Sequence, residues 1–266
     1  MFEYQAERSV YEISHKYVGE PNAEDYSRHM HGYCEILLFV QGDAKFNIDG
    51  NLYNPKPYDL LIIPKGAYHY LIPRSPAPYE NYVLDFSSTL IPQQHSRRLF
   101  SKPQIINIKE NADFCRFFHL LDEYYSTYNI EDFAISAKAL LRQMLIYCSY
   151  RIDKTAQIEP SHNPLVDSIL QMISEQIGEP LDAEQIAKQM MLSKSHIQNV
   201  FSQEMHIGLK QYIMQKKIFA AQSDLMAGIS PADVCAKYGF SDYSVFFRVY
   251  KKTLGYSPRQ TKRFNS

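Results

Sequence analysis

The same residue pattern occurs twice in the last third of this chain, and it restricts the fold more than any other feature. One copy spans residues 181–201 and the other residues 229–252, and matching positions such as Leu192 and Phe240 lie 48 residues apart. Each copy predicts a short helix, a tight turn and a second helix that follows a serine, which is the layout of a helix-turn-helix. Because the second helix of this motif enters the major groove, two copies predict contact with two successive grooves of DNA.

Capping signals mark the starts of the predicted helices. Asp182, followed three positions later by Gln185, is a capping-box pattern. Ser193 and Ser241 each precede a predicted recognition helix, which their hydroxyls can cap. The turns differ, because Gly239 suits a left-handed residue and Met191 occupies the equivalent position of the first copy. We therefore expect the first turn to bend differently or to carry strain.

Helix geometry separates an inward and an outward side of each recognition helix. Ile197 and Phe201 predict the buried side of the first, and Phe246 and Tyr250 that of the second. The side chains then predicted to face DNA are Lys194, Ser195, Gln198, Asn199, Tyr243, Ser244, Phe247 and Arg248, with His196 at the margin. Gln and Asn can pair with adenine edges and Arg with guanine, so this set indicates direct base readout, although any member can instead meet phosphate or water.

Residues 181–263 resemble the two-motif DNA-binding domain of the AraC/XylS family of transcription regulators. The resemblance is carried by Gly239-Phe240-Ser241, Phe246, Arg248-Val249-Tyr250-Lys251-Lys252, Gly255 and Ser257-Pro258, together with Tyr212, Lys217, Ala221 and Leu225. The chain departs from the family where Met191 and His206 replace usual glycines, Cys235 a usual alanine and Lys217 a usual arginine.

The resemblance implies a sequence-specific transcription regulator that responds to a small-molecule effector. The positions that match base-contacting residues of the family are Ser195, Gln198, Asn199, Tyr243, Ser244 and Arg248. Ser241, Lys251 and Lys252 complete the predicted DNA-binding set, with the two lysines as candidate phosphate contacts. Double-stranded promoter DNA, the effector and RNA polymerase are the implied partners. Activation is the implied outcome, and repression stays open.

The charge distribution agrees with a DNA-binding region at this end of the chain. The whole chain carries a net charge of −1, whereas residues 161–266 hold 12 basic and 9 acidic residues. This surplus of three is modest, so specific contacts or dimerisation must supplement the general attraction to phosphate.

The first part of the chain predicts a separate, β-rich domain. Short strand-like runs at residues 34–40, 44–48, 60–63 and 82–86 are separated by turn residues, as in a small barrel or sandwich. Helical periodicity follows over residues 111–151, as an antiparallel pair joined near Asn129. Its apolar stripe of Phe133, Ala137, Leu141 and Met144 is either a self-association face of a homodimer or part of the domain core.

A histidine-rich constellation within this region resembles the two motifs of the cupin barrel. His29, His31, Tyr33 and Glu35 have odd numbers and share one face if their strand is unbroken, and His69 can join them from another strand. Three imidazoles and a carboxylate are a credible set of ligands for a divalent metal. Sensor barrels of AraC-type regulators, however, resemble this pattern without generally using a metal.

We therefore expect an organic ligand, with no metal and no cofactor. The predicted ligand-binding residues are His29, His31, Tyr33, Glu35, His69 and Tyr82. The family often controls sugar use, which points weakly to a sugar. The alternative is a metal-dependent cupin enzyme with an appended DNA-binding domain.

The predicted fold is α+β and multidomain. A cupin-like sensing barrel with a helical dimerisation hairpin covers residues 1–155, a linker residues 156–163, and an all-α domain with two helix-turn-helix motifs residues 164–266. The start has no signal-peptide pattern, no apolar run approaches 18 residues, and the 4 cysteines show no paired spacing. These features predict a cytoplasmic protein. No P-loop, dinucleotide motif or nucleophile elbow occurs, so we assign no catalytic residue.

Overall fold

The computed structural model describes residues 1–5, 11–22, 24, 26–151, 163–179 and 181–261. The chain forms two compact units, the first made of Met1–His29, Tyr33–Ile48 and Leu52–Glu159, and the second of Met30–Gly32, Asp49–Asn51 and Pro160–Ser266. The predicted linker lies largely outside the described residues, since it covers 156–163 and the description resumes at 163. The three predicted domain limits therefore stay predictions.

The β-strands of the described chain form two sheets. The larger is antiparallel and has the order β1-β2-β8-β3-β6-β9, and the smaller has the order β5-β4-β7. The strands are β1 Phe2–Gln5, β2 Tyr11–Val18, β3 Cys34–Gln41, β4 Ala44–Ile48, β5 Asn51–Tyr53, β6 Asp59–Ile63, β7 His69–Pro73, β8 Tyr79–Phe86 and β9 Gln104–Asn107.

Each face of the larger sheet has its own apolar core. One face contributes Leu37 and Phe39 of β3 to a core shared with Phe46 of β4, so this core lies inside the barrel. The other face contributes Ile36 and Leu38 to a core shared with three helices, α1 Gln93–Phe100, α2 Ala112–Thr127 and α3 Ile130–Ser149. The alternation along β3 follows from the strand geometry, which points successive side chains to opposite faces. This arrangement confirms the predicted β-rich domain with helices.

The apolar stripe of α3 lies in the core of the first unit. Phe133, Ala137, Leu141 and Met144 are all at most 2% exposed and pack with residues of the larger sheet. The prediction that this stripe is a self-association face is therefore wrong, and its alternative, a place in the domain core, is correct. Asn129 caps α3 by accepting hydrogen bonds from the N–H groups of Glu131 and Asp132, as expected at the join between the two helices.

The second unit is helical within the described residues. Its helices are α4 Pro164–Gln176, α5 Ala183–Gln189, α6 Lys194–Met205, α7 Leu209–Met226, α8 Pro231–Lys237 and α9 Tyr243–Leu254. Helices α5 and α6 form the first helix-turn-helix and α8 and α9 the second, which confirms the predicted all-α domain. Among the helices of the described chain, none is long and apolar enough to cross a membrane.

The helix caps follow the sequence with one exception. Asp182 and Gln185 form the predicted capping box, and the Ser193 hydroxyl accepts the His196 N–H at 3.2 Å. Ser241, however, does not cap α9. Asp242 does so by accepting the Val245 N–H at 2.8 Å, and this hydrogen bond lowers the pKa of the Asp242 carboxyl. The carboxylate is the stronger acceptor at a positive helix end, so it takes the role predicted for the neighbouring hydroxyl.

The two turns adopt the same left-handed backbone with different residues. Gly239 has φ 68° and Met191 has φ 55°. Because a left-handed conformation costs an L-residue roughly 1–2 kcal/mol, the first turn carries the strain that the sequence suggested.

We expect Met191→Gly to raise the free energy of unfolding by about 1 kcal/mol, since it removes this strain. The Met191 side chain is 91% exposed, so little packing is lost with it. Gly239→Ala is the matched control and should lower stability by about 1 kcal/mol. Urea denaturation of the full chain measures both, and a Met191→Gly variant no more stable than the parent would show that the turn is relaxed.

Candidate DNA-binding face and ligand-binding cluster

Both recognition helices bury one side and expose the other. Ile197 and Phe201 of α6 are fully buried, and so are Phe246 and Tyr250 of α9. The exposed members of the predicted DNA-binding set are Lys194, Ser195, His196, Asn199, Ser241, Tyr243, Ser244, Arg248, Lys251 and Lys252, and the partly exposed members are Gln198 and Phe247. The polar sides of α6 and α9 are therefore available to a partner.

Aromatic contacts hold each recognition helix in place. The Phe201 ring meets the Tyr212 ring of α7 edge-on at 5.3 Å between centroids. In the second motif Phe246 packs against Tyr250 at 5.5 Å, and the Tyr250 hydroxyl shares a 2.6 Å hydrogen bond with the Thr261 hydroxyl. Both helices are thus fixed through their buried sides, which pre-organises the exposed sides for binding.

Three of the predicted ligand-binding residues, His29, Glu35 and His69, come together in the first unit, but not in the way that strand parity suggested, and His31 belongs to the second unit. Strand β3 begins at Cys34, so Glu35 is the only predicted member on it. His29 instead forms an isolated antiparallel bridge with His69, through N–H to carbonyl hydrogen bonds of 3.2 and 3.0 Å. The condition of an unbroken strand from 29 to 35 is therefore not met, although His29, Glu35 and His69 still lie close together.

The imidazole rings of this cluster have defined hydrogen bonds. Nδ1 of His29 lies 2.8 Å from the Ser27 carbonyl, and Nδ1 of His69 lies 3.0 Å from the Ala67 carbonyl. A carbonyl only accepts, so both Nδ1 atoms donate, and in the neutral rings each Nε2 carries a lone pair. Nε2 of His69 lies 3.2 Å from a Glu35 carboxylate oxygen. Because the Nε2 lone pair of His69 and the Glu35 carboxylate oxygen are both acceptors, this distance requires a proton or a cation between them.

Ligand atoms of His29, Glu35 and His69, which all belong to the first unit, lie within 4.8 Å of one another. Imidazole nitrogens with one carboxylate suit first-row transition metals. Ring N–H groups held by backbone carbonyls are also the usual outer-shell partners of metal-ligating histidines. The donor set therefore fits a divalent metal, and it equally fits an organic ligand with hydroxyl groups.

The two tyrosines predicted for this site lie in different places. Burial, followed by the charges of Asp85 and Glu35, raises the pKa of Tyr33. Tyr82 belongs to the core on the opposite face of the sheet. Its hydroxyl donates to Asp122 and its ring stacks on His15 at 3.9 Å. The prediction that Tyr82 joins the ligand-binding set is therefore wrong.

Sequence reasoning missed a row of polar residues on the barrel-facing side of the larger sheet. Glu35 of β3 pairs with Asp85 of β8, and Asp85 pairs with Glu12 of β2, so three carboxylates lie in one row. Burial, and then the charges of Glu35 and Glu12, raises the pKa of Asp85 well above its usual range. Like charges directly opposite one another are unfavourable, so this row needs a compensating partner.

Buried polar atoms on this same side make no hydrogen bond within the described chain. They are the Ser14 hydroxyl oxygen, Asn81 Oδ1 and Asp85 Oδ1. Asn81 lies four positions from Asp85 on β8, so the two side chains share one face. Ser14 lies two positions from Glu12 on β2, and Glu12 pairs with Asp85, so Ser14 shares that face as well. An unsatisfied buried polar atom costs about 1–3 kcal/mol, so three on one face indicate a surface built to bind polar groups. The strand pairing alone creates this group, and no local sequence pattern could have revealed it.

Two family models match this chain. The "AraC-like ligand binding domain" matches residues 17–145, and the "Helix-turn-helix domain" matches residues 186–263. A β-rich ligand-binding domain followed by two helix-turn-helix motifs defines a DNA-binding transcription regulator with a ligand-binding domain. The chain belongs to the AraC family of transcriptional regulators. This family is not enzymatic, which overturns the alternative of a metal-dependent enzyme and agrees with the absence of any assigned catalytic residue.

Several characterised regulators are similar to this chain. The arabinose operon regulatory protein of Salmonella typhimurium is 26% identical over 246 residues, covering 87% of this chain and 83% of that protein. The regulatory protein SoxS of Salmonella typhimurium is 27% identical over 99 residues, covering 37% of this chain and 92% of SoxS. The Msm operon regulatory protein of Streptococcus mutans is 29% identical over 99 residues, and the match covers 36% of that protein. Among solved structures, ToxT from Vibrio cholerae O395 covers 97% of this chain and is itself covered to 98%, with a TM-score of 0.42 and 12% identity.

Proposed function

We propose that this regulator responds to a small polyhydroxylated effector, of the sugar class, bound inside the barrel of the first unit. The observation that carries the proposal is the set of unsatisfied buried atoms of Ser14, Asn81 and Asp85 on the barrel-facing side of the larger sheet. Hydroxyl groups both donate and accept, so one sugar can satisfy carboxylate, amide and hydroxyl partners together. The name of the arabinose operon regulatory protein also supports a sugar.

A panel of aldopentoses and aldohexoses, tested by thermal melting of the full chain, examines this proposal. A ligand that binds only the folded state raises the melting temperature in proportion to its occupancy. We expect at least one sugar to stabilise the parent chain. No stabilisation by any member of the panel at millimolar concentration would contradict a sugar effector.

The response follows from a shift between conformations. The effector must bind one conformation of the regulator more tightly than another, because only differential affinity moves such an equilibrium. We further propose that the exposed sides of α6 and α9 read base edges, with Arg248 pairing with guanine and Lys251 and Lys252 contacting phosphate. Action in the cytoplasm on promoter DNA, with activation through RNA polymerase, completes the proposal.

One observation also favours a divalent metal at the cluster of His29, Glu35 and His69. The Nδ1 hydrogen bonds of His29 and His69 leave each Nε2 as a lone-pair donor, and that of His69 points at Glu35. A metal there would fix these side chains and present a Lewis acid to an oxygen of the effector. Elemental analysis of protein purified without added metal decides between a metal-assisted pocket and a purely organic one.

We also propose that the regulator forms a homodimer through the exposed side of α3. Ile135 lies there and is 71% exposed, which is unusual for an isoleucine on a helix whose other side is core. We expect Ile135→Glu to shift the full chain from dimer to monomer in sedimentation velocity. Lys109→Glu, which is exposed outside α3, changes charge without removing apolar surface and should leave the dimer intact. A parent chain that sediments as a monomer at micromolar concentration would end this proposal.

A further inference from the structure

A cavity of about 740 Å³ lies in the first unit, on the opposite face of the larger sheet from Glu35. Cys34 reaches it from the start of β3, and strand alternation directs Cys34 and Glu35 to opposite faces. The residues that line the cavity are Cys34, Lys65, Ser88, Thr89, Ile91, Gln93, Ser96, Arg97, Phe100 and Ser101. It is therefore separate from the barrel interior to which the effector is assigned.

One wall of the cavity is a single side of α1. Gln93, Ser96, Arg97 and Phe100 lie three or four residues apart, so they form one stripe along the helix. The stripe has a polar end and an aromatic end. The segment at 88–91 forms a second wall, where Ile91 adds a buried apolar surface to hydroxyl groups. The cavity thus has an apolar part and a part rich in hydrogen-bond donors.

The charges that line the cavity have one sign. Lys65 and Arg97 are cationic, and none of the described residues in the lining is acidic. Burial lowers the pKa of the Lys65 ammonium, and an anion beside it would favour the charged form. Burial raises the pKa of the Cys34 thiol to about 12, so Cys34 lines the cavity as a neutral thiol at pH 7.

We propose that this cavity binds a small organic acid, with its carboxylate on Arg97 and Lys65 and its hydrocarbon part on Ile91 and Phe100. The guanidinium fork matches a carboxylate in a bidentate fashion, and the ammonium adds a second charge-assisted hydrogen bond. Pockets for small ligands combine mostly apolar walls with a few placed polar groups, which is the composition here. The cavity would give the regulator a second ligand-binding site, and this proposal does not depend on which effector binds in the barrel.

Isothermal titration of the full chain with hexanoate tests this site, with hexan-1-ol and inorganic phosphate as the comparison ligands. Each charge-assisted hydrogen bond that is lost should weaken binding by about tenfold or more. We therefore expect hexanoate to bind at least about tenfold more tightly than hexan-1-ol, which lacks the charge, and than phosphate, which lacks the apolar part. Equal binding of the alcohol, or tighter binding of phosphate, would overturn an organic-acid site.

Arg97→Gln and Arg98→Gln form a matched pair for the same titration. The two arginines are neighbours on α1, and only Arg97 lines the cavity, while Arg98 lies over the Tyr150 ring at 6.0 Å. We expect Arg97→Gln to weaken hexanoate about tenfold or more and Arg98→Gln to change it less than about twofold. Equal effects of the two variants would refute the site.

Lys65→Met serves as a second variant, because it keeps the length of a mostly buried side chain and removes its charge. It should also weaken hexanoate by about tenfold, with melting curves confirming that each variant is folded. Asp85→Asn, on the barrel side, should leave hexanoate binding unchanged, so failure of the cavity site and failure of the barrel site give different results. Unchanged hexanoate affinity in Lys65→Met would also count against the proposal.

Discussion

Arg248→Ala is expected to weaken binding to the operator by about 1–3 kcal/mol and to relax the preference at one base pair. Arg248 is exposed on α9, between the buried Phe246 and Tyr250 that hold this helix. Alanine is the best helix former, so the substitution should leave folding intact. The loss then reports on the guanidinium alone, which can pair with O6 and N7 of guanine.

Binding to the operator and to scrambled DNA at fixed salt measures this effect. Lys251→Ala and Lys252→Ala are the controls, because phosphate contacts should be lost equally on both DNAs and should reduce the salt dependence by about one counterion each. If Arg248→Ala weakens both DNAs to the same extent, Arg248 contacts the backbone and does not read a base.

Asp85→Asn is expected to stabilise the folded chain by about 1–3 kcal/mol at pH 7 and to lower the response to the effector. Asp85 is buried between Glu35 and Glu12 in the strand pairing, and one of its oxygens has no hydrogen-bond partner within the described chain. An acidic side chain buried beside two other carboxylates costs stability, and an effector hydroxyl would offset this cost. Opposite changes in stability and function are typical of a binding site held in an unfavourable state.

The pH dependence of stability provides an independent test of Asp85. Its folded pKa is raised, first by burial and then by Glu35 and Glu12, above the unfolded value of about 3.9. Between these two pKa values the folded state binds more protons than the unfolded state, so the free energy of unfolding falls as pH rises through this window. Asp85→Asn should flatten this part of the profile.

Asp43→Asn is the matched control for these measurements. The Asp43 side chain is 44% exposed and lies 3.7 Å from Arg74. Its replacement should change stability by less than about 1 kcal/mol, as for other exposed ion pairs. A reporter driven by the native promoter measures the response. If Asp85→Asn neither stabilises the chain nor lowers the response, the effector does not bind on this face.

The second unit could be predicted from the sequence in most of its detail. The starts of α5 and α6 could be predicted from Asp182, Gln185 and Ser193, because a helix cap forms between residues that are at most four positions apart in the chain. The strain at Met191 was also predictable, since a left-handed turn favours glycine whatever surrounds it. The predicted cap of α9 was wrong by one residue. Ser241 and Asp242 can both cap a helix, and the sequence alone does not show which of the two does so.

The first unit depended on pairing between distant strands. The sequence predicted four of its strands and the residue types of the His29, Glu35 and His69 cluster, but only tertiary contact joined His29 to His69. Likewise, the apolar stripe beginning at Phe133 fits an interface and a core equally well until its neighbours are known. An apolar pattern predicts that a side chain is buried from water, but it does not predict whether the same chain or a partner chain covers it.

The candidate effector site shows the same division between local pattern and tertiary contact. Ser14, Asn81 and Asp85 lie up to 71 positions apart in the chain and meet because β2 pairs with β8 in one register. A shift of one residue between β2 and β8 would place Ser14 on the opposite face from Asn81 and Asp85. The sequence by itself therefore determined the DNA-binding helices, whose signals are local, whereas the tertiary structure alone decided which polar groups face the barrel interior.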